Sequence, residues 1–311
     1  MEEARGHGAG GGNRVSPAVA QGDVTLDAPG KFAGQSMKII HITDVHLVPP
    51  GQQLFESDPQ ERLHACLAHV ATHHADANMC IMTGDLAHDG DEEAYVVLRD
   101  ALRNFPVPVR LVVGNHDDRR KFRNVFPDAE ADEHGFIQSY ADTPAGRFIF
   151  LDTKQDGTHA GWYCEKRQAW LDARLGEAAG KPAYLFMHHP PFRIHLQSMD
   201  TIMLRNPEAF AAVVERHNIG HVFFGHVHRP VSGTWRNIPF STLAGLNHQT
   251  ALDFAESGIV TSLEPPAYSI AFFNDTGLVI HNHEFLDRSP RFRYNPNRDK
   301  GHQVQRMQSD H

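Results

Sequence analysis

Short apolar segments of strand length alternate with amphipathic segments of helical period along most of this 311-residue chain. We predict buried strands over the apolar runs 38–43, 79–83, 110–113, 148–151, 184–187 and 222–224. We predict helices where apolar residues recur at three- and four-residue spacing, over 59–74, 92–105, 165–175 and 207–217. Strands that alternate with helices form a largely parallel sheet whose faces are covered by helices.

The later part of the chain has a different pattern, rich in short strands without helices between them. Segments 235–243, 268–273 and 278–284 are typical of antiparallel strands, the last two joined by a turn at 274–277. This late β-rich part, 235–285, predicts a second sheet packed on the first. It is also where we expect contact between subunits of a homo-oligomer.

The two ends of the chain differ from the folded part, which we place at 37–285. Residues 1–36 are rich in glycine and poor in apolar residues, so we interpret them as a disordered leader or tag. Residues 286–311 hold six Arg or Lys against three Asp and read as a polar, basic tail.

Composition excludes several classes of protein. No apolar run approaches the ~18–20 residues of a membrane span. The formal net charge of −9 argues against a broad nucleic-acid-binding surface. Three cysteines are too few and too scattered for a disulfide framework, and they suit a reducing cytoplasm. The unusual feature of the composition is its histidine content, 23 residues.

Polar residues follow five of the predicted strands, at the point where each strand ends. In chain order they are Asp44-Val-His46, Gly84-Asp85, Gly114-Asn115-His116-Asp117, His188-His189-Pro190 and Gly225-His226-Val-His228. In open α/β sheets, ligands bind beyond the carboxyl ends of the strands. We therefore expect these imidazole and carboxylate groups to share one crevice.

The residue types point to a transition-metal site. Asp44 and His46 are two residues apart, so in extended backbone both side chains point to the same side. Mixed imidazole and carboxylate ligation favours iron, manganese, zinc or cobalt over magnesium or calcium. The short Asp85 carboxylate has two oxygens with which to bridge two ions. Paired metal ions clamp the attacking and leaving oxygens of a phosphoryl displacement.

In this order, D-x-H, G-D, G-N-H-D, H-H-P-P and G-H-x-H resemble the motifs of the calcineurin-like metallophosphoesterases. Within that superfamily, segments 41–47, 151–162 and 187–192 are similar to the class III cyclic-nucleotide and glycerophosphodiester phosphodiesterases. The resemblance spans about 37–255. It implies an α/β fold, a four-layer αββα sandwich of two mixed β-sheets flanked by helices.

The resemblance also implies a role for each motif residue. Two divalent or trivalent metal ions would be held, one by Asp44, His46, Asp85 and His228, the other by Asp85, Asn115, His188 and His226. With Asp85 and Asn115, His116 would be catalytic, and it would face the substrate to steady a phosphoryl oxygen or protonate the leaving alkoxide. His159 and His248 are further expected substrate contacts. His189, beside His188, is expected to point away from the metal ions and to support the ligand residues without binding metal itself.

The expected activity is that of a metal-dependent phosphoric diester hydrolase, in which a metal-bound hydroxide attacks a small phosphodiester of cyclic-nucleotide or glycerophosphodiester type. A phosphomonoesterase and, less favoured by the acidic net charge, a nuclease of the same superfamily are alternatives. A non-catalytic scaffold of this fold would be expected to lack some of the seven ligand residues, all of which are present.

Overall fold

The structure is a computed structural model that describes residues 37–294 and 305–307 of the chain. The elements of the first part are β1 (Met37–Ile42), α1 (Pro59–His73), β2 (Met79–Thr83), α2 (Glu92–Leu102), β3 (Val109–Val112), α3 (Arg119–Val125), β4 (Ser139–Thr143), β5 (Gly146–Phe150) and α4 (Glu165–Gly176). They are followed by β6 (Ala183–Phe186), α5 (Gln197–Asp200), α6 (Pro207–Val214), β7 (Ile219–Phe223), β8 (Ser232–Trp235), β9 (Ile238–Ser241), β10 (Gln249–Thr250), β11 (Thr261–Ser262), β12 (Tyr268–Asn274), β13 (Gly277–His283), β14 (Phe292–Arg293) and β15 (Gln305–Arg306).

The first sheet is built around three parallel strands. Its order is β13-β12-β1-β2-β3, in which β1, β2 and β3 are parallel. A parallel pair needs a long crossover, and α1 and α2 supply the two crossovers of this sheet. The hairpin of β12 and β13 adds two antiparallel strands beside β1.

The second sheet repeats this plan. Its order is β4-β5-β6-β7-β9-β8, with β5, β6, β7 and β9 parallel and β4 and β8 antiparallel at the two edges. Helix α4 lies between β5 and β6 in the chain, and α6 lies between β6 and β7. The carboxyl ends of β6 and β7 therefore lie at one edge of this sheet.

Contrary to our expectation for 235–285, the late strands do not make up the second sheet; within this segment β10 and β11 pair with each other in a small two-stranded sheet. The β12–β13 hairpin joins the first sheet, while β8 and β9 join the second. The strand predicted over 235–243 is also divided, because Arg236 and Asn237 adopt positive φ angles of 49° and 63° and turn the chain. Which sheet accepts a late hairpin depends on long-range pairing, which local sequence patterns do not encode.

Three apolar cores separate four layers. Between the sheets lies an aromatic core in which the Phe186 and Phe223 rings stack with centroids 4.7 Å apart. A second core joins the first sheet to α1, α2 and α3, and a third joins the second sheet to α4 and α6. Strands β1, β2 and β5 are thus covered on both faces, and all of their residues except the partly exposed Lys38 are buried. The predicted αββα sandwich is confirmed.

Seven elements have no counterpart among the predicted ones: α3, α5, β4, β10, β11, β14 and β15. Helix α3 is only seven residues long, and β4 is a half-exposed edge strand, so neither carries a long apolar period. Helix α1 begins as predicted, with Pro59 in its first turn and the Asp58 carboxylate accepting hydrogen bonds from the Gln60 and Glu61 amides.

None of the helices that the structure describes has the length and apolar content needed to cross a membrane. The predicted leader, 1–36, lies outside the described residues. Of the predicted basic tail the structure describes 286–294 and 305–307, where β14 pairs with β15.

Candidate metal centre

The loops that follow β1, β2, β3, β6 and β7 meet at one edge of the sandwich. The loops after β1 and β2 run side by side, with the His46 amide donating to the Asp85 carbonyl at 2.8 Å. The loops after β6 and β7 are joined by the Gly225 amide, which donates to the His188 carbonyl at 3.1 Å. Both sheets therefore contribute side chains to the same crevice.

One half of the site contains the four residues expected to hold the first metal ion. His228 Nε2 lies 3.3 Å from Asp44 Oδ1 and 3.1 Å from His46 Nε2. Asp85 Oδ2 lies 3.5 Å from His46 Nε2. The ligand atoms of all four residues lie within 4.8 Å of one another, and all four residues are buried. Such a group of atoms is compact enough to surround one ion.

The other half continues from the same carboxylate. Asp85 Oδ2 is 3.2 Å from His188 Nε2, which in turn is 3.1 Å from Asn115 Oδ1. The His226 ring lies 5.1 Å from the His188 ring, centroid to centroid. The structure thus brings all seven predicted ligands together and places Asp85 between the two sets.

The backbone of the site is strained. Five of the seven predicted ligands have positive φ angles: Asp44 at 53°, His46 at 49°, Asp85 at 49°, His226 at 70° and His228 at 48°. Each such residue other than glycine costs on the order of 1–3 kcal/mol and persists only where the surroundings enforce it. This concentration of strain at one place is typical of a functional site.

Two glycines of the motifs are required by close packing. A Cβ atom at Gly84 would lie 2.5 Å from His188 Nδ1, and one at Gly114 would overlap the Asp85 carboxylate. Any larger residue at either position would push a predicted ligand out of place. The glycines therefore allow the loops after β2 and β3 to approach each other and the β6 loop.

Backbone carbonyls orient two of the imidazoles. His188 Nδ1 lies 2.8 Å from the Thr83 carbonyl, and His228 Nδ1 lies 2.7 Å from the His248 carbonyl. Because a carbonyl only accepts, each Nδ1 carries the proton and donates it. The Nε2 atoms are then left to face the centre, the arrangement that metal-binding histidines commonly adopt.

Two buried pairs of opposite charge lie in the site: Asp44 with His228, and Asp85 with His188. Burial by itself lowers the pKa of His188, but the neighbouring Asp85 and Asp44 carboxylates raise it to about 9. Burial also opposes the charged form of His228, and Asp44 raises the pKa of that ring above its ordinary value. Burial opposes ionisation of Asp85, yet His188 and His116 hold the pKa of this carboxyl well below its usual range. The carboxylates thus attract positive charge into the centre.

His226 supplies a direct test of whether metal ions fit. Its Nε2 is buried and has no hydrogen-bond partner among the residues that the structure describes. Burial, followed by the charge of His188, lowers the pKa of His226 to about 3, so the ring is neutral and keeps a lone pair. A buried, unpaired imidazole nitrogen beside carboxylates suits a transition-metal ion. The residues present therefore fit a metal centre.

The three predicted substrate contacts line the mouth of this centre. The half-buried His116 donates from Nδ1 to the His88 carbonyl, and its ring lies 4.8 Å from that of His46. The exposed His159 lies 4.9 Å from the His116 ring. On the opposite side, the half-buried His248 lies 4.4 Å from the His228 ring. The structure thus places one imidazole at the centre of the mouth and one on each side of it.

His189 occupies the supporting position that we expected. It is fully buried, with Nδ1 2.8 Å from Thr153 Oγ1 and Nε2 3.1 Å from the His159 carbonyl. Because both ring nitrogens are engaged, this side chain connects the loop that carries His159 to the loop that carries His188.

Sequence reasoning overlooked His88. Its ring stacks on that of His116, with centroids 5.0 Å apart and planes at 18°, and its Nδ1 lies 3.1 Å from His46 Nδ1. It therefore contacts one predicted ligand and the predicted catalytic histidine together. The sequence feature that could have identified His88 is its position three residues after Asp85, on the same loop.

Asp117, the last residue of the G-N-H-D motif, has a structural role that the motif alone does not predict. Its buried carboxylate accepts hydrogen bonds from the Gly114, Ala87 and Leu86 amides at 2.8, 3.0 and 3.2 Å, and from the Tyr95 hydroxyl at 3.0 Å. Burial, and then the charge of Asp85, raises the pKa of Asp117 to about 6. This carboxylate holds together the loops after β2 and β3.

Comparisons with known proteins agree with this geometry. The sequence model of the calcineurin-like phosphoesterase family matches residues 37–230, more than half of the chain. A probable cyclic nucleotide phosphodiesterase of Rhodopseudomonas palustris is 42% identical over 261 residues, which cover 82% of this chain and 95% of that protein. A probable glycerophosphodiester phosphodiesterase of Arcobacter nitrofigilis is 27% identical over 251 residues, covering 79% of this chain and 92% of that protein.

Solved structures support the fold. The purple acid phosphatase PPD1 of yellow lupin has a TM-score of 0.60 at 12% identity, covering 82% of this chain and 52% of that one. The family and the named relatives are consistent with the predicted phosphoric diester hydrolase, and the family implies divalent metal ions. From its motifs, its fold and these matches, the chain belongs to the calcineurin-like phosphoesterase family.

Proposed function

We propose that this protein hydrolyses a small phosphodiester to a phosphomonoester and an alcohol at a dinuclear metal centre. The observation that carries the proposal is the position of Asp85, whose Oδ2 lies 3.5 Å from His46 Nε2 and 3.2 Å from His188 Nε2. A carboxylate between two sets of imidazoles is the arrangement that two adjacent ions require.

The two ions would share Asp85, as predicted from the sequence. Asp44, His46 and His228 complete one set, and Asn115, His188 and His226 complete the other. When bound, the ions would lower the pKa of a coordinated water and neutralise charge on the phosphoryl oxygens. Iron and manganese are our leading candidates, and zinc and cobalt suit the same donors.

The charge of the centre suits a diester. Two carboxylates against two divalent ions leave a net charge of about +2 before water ionises, which attracts a phosphodiester anion. The imidazoles of His46 and His226 add no charge, because burial lowers the pKa of both rings.

His116 is placed to act on the substrate. Its Nδ1 is engaged by the His88 carbonyl, which leaves Nε2 for a substrate oxygen. A proton on Nε2 would either hydrogen-bond a phosphoryl oxygen or pass to the departing alkoxide, in the manner of a general acid. The rings of His159 and His248, on either side, would contact the two ester groups.

The names of the relatives indicate the substrate class. Proteins similar to this chain are named as probable cyclic nucleotide and probable glycerophosphodiester phosphodiesterases. A further relative in Mycobacterium tuberculosis, named as a cAMP/cGMP dual specificity phosphodiesterase, is 29% identical over 225 residues, covering 71% of this chain and 70% of that protein. We therefore propose a diester of one of these two types as substrate.

The test compares bis(p-nitrophenyl) phosphate with p-nitrophenyl phosphate. The enzyme is stripped of metal, reconstituted with Mn²⁺ and assayed beside Asn115→Ala. We expect metal-dependent cleavage of the diester that exceeds cleavage of the monoester and collapses in the variant. A preference for the monoester would instead support a phosphomonoesterase, and no turnover by the reconstituted enzyme would contradict the proposal.

Two further predictions concern the surroundings of the enzyme. A cytoplasmic location is compatible with the free thiols of Cys66, Cys80 and Cys164.

Homo-oligomerisation through 235–285 is supported by exposed apolar side chains in that segment, including Leu252 and Phe254. Light scattering of the purified protein measures the oligomeric state.

A further inference from the structure

An exposed aromatic ring stands beside the mouth of the metal centre. The side chain of Phe55 is 46% exposed, and it belongs to none of the three apolar cores that the structure describes. Its ring lies 4.7 Å from that of His248 and 6.4 Å from that of His88. Packing of the fold therefore does not explain why an aromatic residue occupies this position.

The backbone makes the position more unusual. Phe55 and Glu56 have φ angles of 52° and 60°, and they form the tip of a two-residue turn. On either side, the Leu54 amide donates to the Ser57 carbonyl at 2.9 Å and the Ser57 amide donates to the Leu54 carbonyl at 3.1 Å. Such a turn prefers asparagine and glycine, and a bulky residue with positive φ is rare. A strained backbone that holds an aromatic ring in solvent indicates that the ring has a function.

The turn is fixed to the loop that carries His248. Ser57 Oγ donates to Asn247 Oδ1 at 2.6 Å, and Arg62 Nη1 donates to the Asn247 carbonyl. Asn247 is fully buried, and its Nδ2 lies 3.3 Å from His248 Nδ1. These bonds set the spacing of the Phe55 and His248 rings before any substrate binds.

The two rings form a surface that extends outward from the predicted ligands. The His248 ring lies 4.4 Å from that of His228 and 4.8 Å from that of His46. A diester phosphate at the metal centre would therefore place one of its ester groups beside His248 and then Phe55. The exposed ring presents an apolar, aromatic contact to that group.

We propose that Phe55 and His248 form a stacking subsite for the base of a nucleotide substrate. Every nucleobase has a π-face that stacks on aromatic side chains, whereas a glycerol ester has none. The inference rests on the proposed phosphodiesterase function and narrows it, because it assigns the enzyme to nucleoside cyclic phosphates rather than glycerophosphodiesters.

The test uses two variants of one residue. Phe55→Asn removes the ring but suits the turn, and Phe55→Tyr keeps an aromatic ring. With cyclic AMP as substrate, we expect Phe55→Asn to raise KM by about 10-fold and Phe55→Tyr to match wild type, given the measured strength of base stacking on aromatic side chains. With glycerophosphoglycerol, whose ester groups offer the ring neither a base nor a cation, KM should be the same in all three proteins.

Thermal unfolding separates this role from packing. Because asparagine adopts positive φ readily, Phe55→Asn should have a Tm no lower than that of wild type. An equal rise of KM for both substrates, or a lower Tm without any change of KM, would overturn the stacking subsite.

Binding of AMP, followed by calorimetry, tests the subsite without turnover. We expect Phe55→Asn to bind AMP about 10-fold more weakly than wild type, by the same stacking argument. An unchanged Kd overturns the subsite even if the enzyme cleaves diesters. Failure of wild type to cleave any diester, with AMP binding that depends on Phe55, would instead overturn the proposed activity and keep the subsite.

Discussion

Two groups of histidines in the molecule behave in opposite ways. At the metal centre, imidazole nitrogens and carboxylate oxygens come together, with the ligand atoms of Asp44, His46, Asp85 and His228 within 4.8 Å of one another. The second group, which we call the α1–β13 cluster, consists of His69, His73 and His74 at the end of α1 and His283 on β13. There the His69 ring lies 4.3 Å from His73 and 5.0 Å from His283. Among the described residues, groups of three or more His, Cys, Asp or Glu side chains whose ligand atoms all lie within 4.8 Å of one another occur at the metal centre and not in the α1–β13 cluster.

Neighbouring charges account for the difference. At the metal centre Asp85 and Asp44 raise the pKa of His188, and Asp44 raises that of His228, whereas burial keeps the pKa of His46 and His226 low. In the α1–β13 cluster, burial and then His73 lower the pKa of His69 to about 4. Lys38 and Arg291 add positive charge there, while the nearby Asp76 is engaged by Lys38 at 2.5 Å. The first group attracts cations and the second repels them, so an abundance of histidine does not by itself make a metal site.

The largest difference between the two groups should come from the same substitution made in each. We expect His188→Gln to lower the bound metal and to lower kcat with a diester by at least about 100-fold, since loss of a ligand exceeds the effect of a supporting residue. His73→Gln, the matched control, should retain the wild-type metal content and kcat. Metal analysis of the reconstituted proteins and steady-state kinetics measure both. Equal losses in the two variants would show that the comparison is wrong.

A smaller effect is expected at His88, which touches the centre without being a predicted ligand. Replacing it by glutamine removes the ring that contacts His46 and stacks on His116, so we expect a 10- to 100-fold loss of metal affinity or activity, roughly the range for residues that support ligands. Competition with a chelator gives the affinity, and a pH–rate profile reports on His116.

The exposed His64, on the outer face of α1, provides the matched His→Gln control for His88. Its substitution should leave the metal affinity and the pH–rate profile unchanged. A His88→Gln protein that bound metal and turned over like wild type would show that stacking on His116 has no role in catalysis.

The smallest effect is a pH dependence of stability from the α1–β13 cluster. Burial lowers the pKa of His69, His74 and His283 in the folded protein, so the unfolded chain binds more protons below the ordinary histidine range. The contribution of these groups is therefore present at neutral pH and is lost as the pH falls toward the folded-state pKa of about 4 of His69.

His69→Gln isolates this contribution. Between pH 7.5 and 5, we expect its Tm to fall less than that of wild type, because glutamine does not titrate. His64→Gln should follow the wild-type pH dependence. Thermal melts at several pH values in metal-free buffer measure the slopes, and a steeper slope for His69→Gln would contradict a lowered pKa of His69 in the folded protein.

Most of the sandwich and of its candidate site was predictable from local patterns. The parallel strands are short, and they are mainly apolar because both of their faces are buried. Asp44, Asp85, Asn115, His188 and His226 were found because each follows such a strand, and parallel strands bring their carboxyl ends to one edge. This inference needs only the direction of the chain and the polarity of adjacent residues.

Other features depended on contacts between residues far apart in the chain. The pairing of β9 with β7 and of β12 with β1 assigns the late strands to different sheets. The stacking of His88 on His116 and the position of Phe55 beside His248 are likewise contacts across 28 and 193 residues. Short-range periodicity carries no information about such contacts.

The order of the main strands and helices and the residues at the strand ends can therefore be predicted from local patterns, because both follow from burial and chain direction. Folding, in contrast, establishes which histidines face carboxylates and which face other cations. It also decided that the Phe55 ring remains exposed beside the centre. Local patterns do not encode these properties, because the pKa of an imidazole and its access to metal or substrate depend on groups that folding brings within a few ångströms.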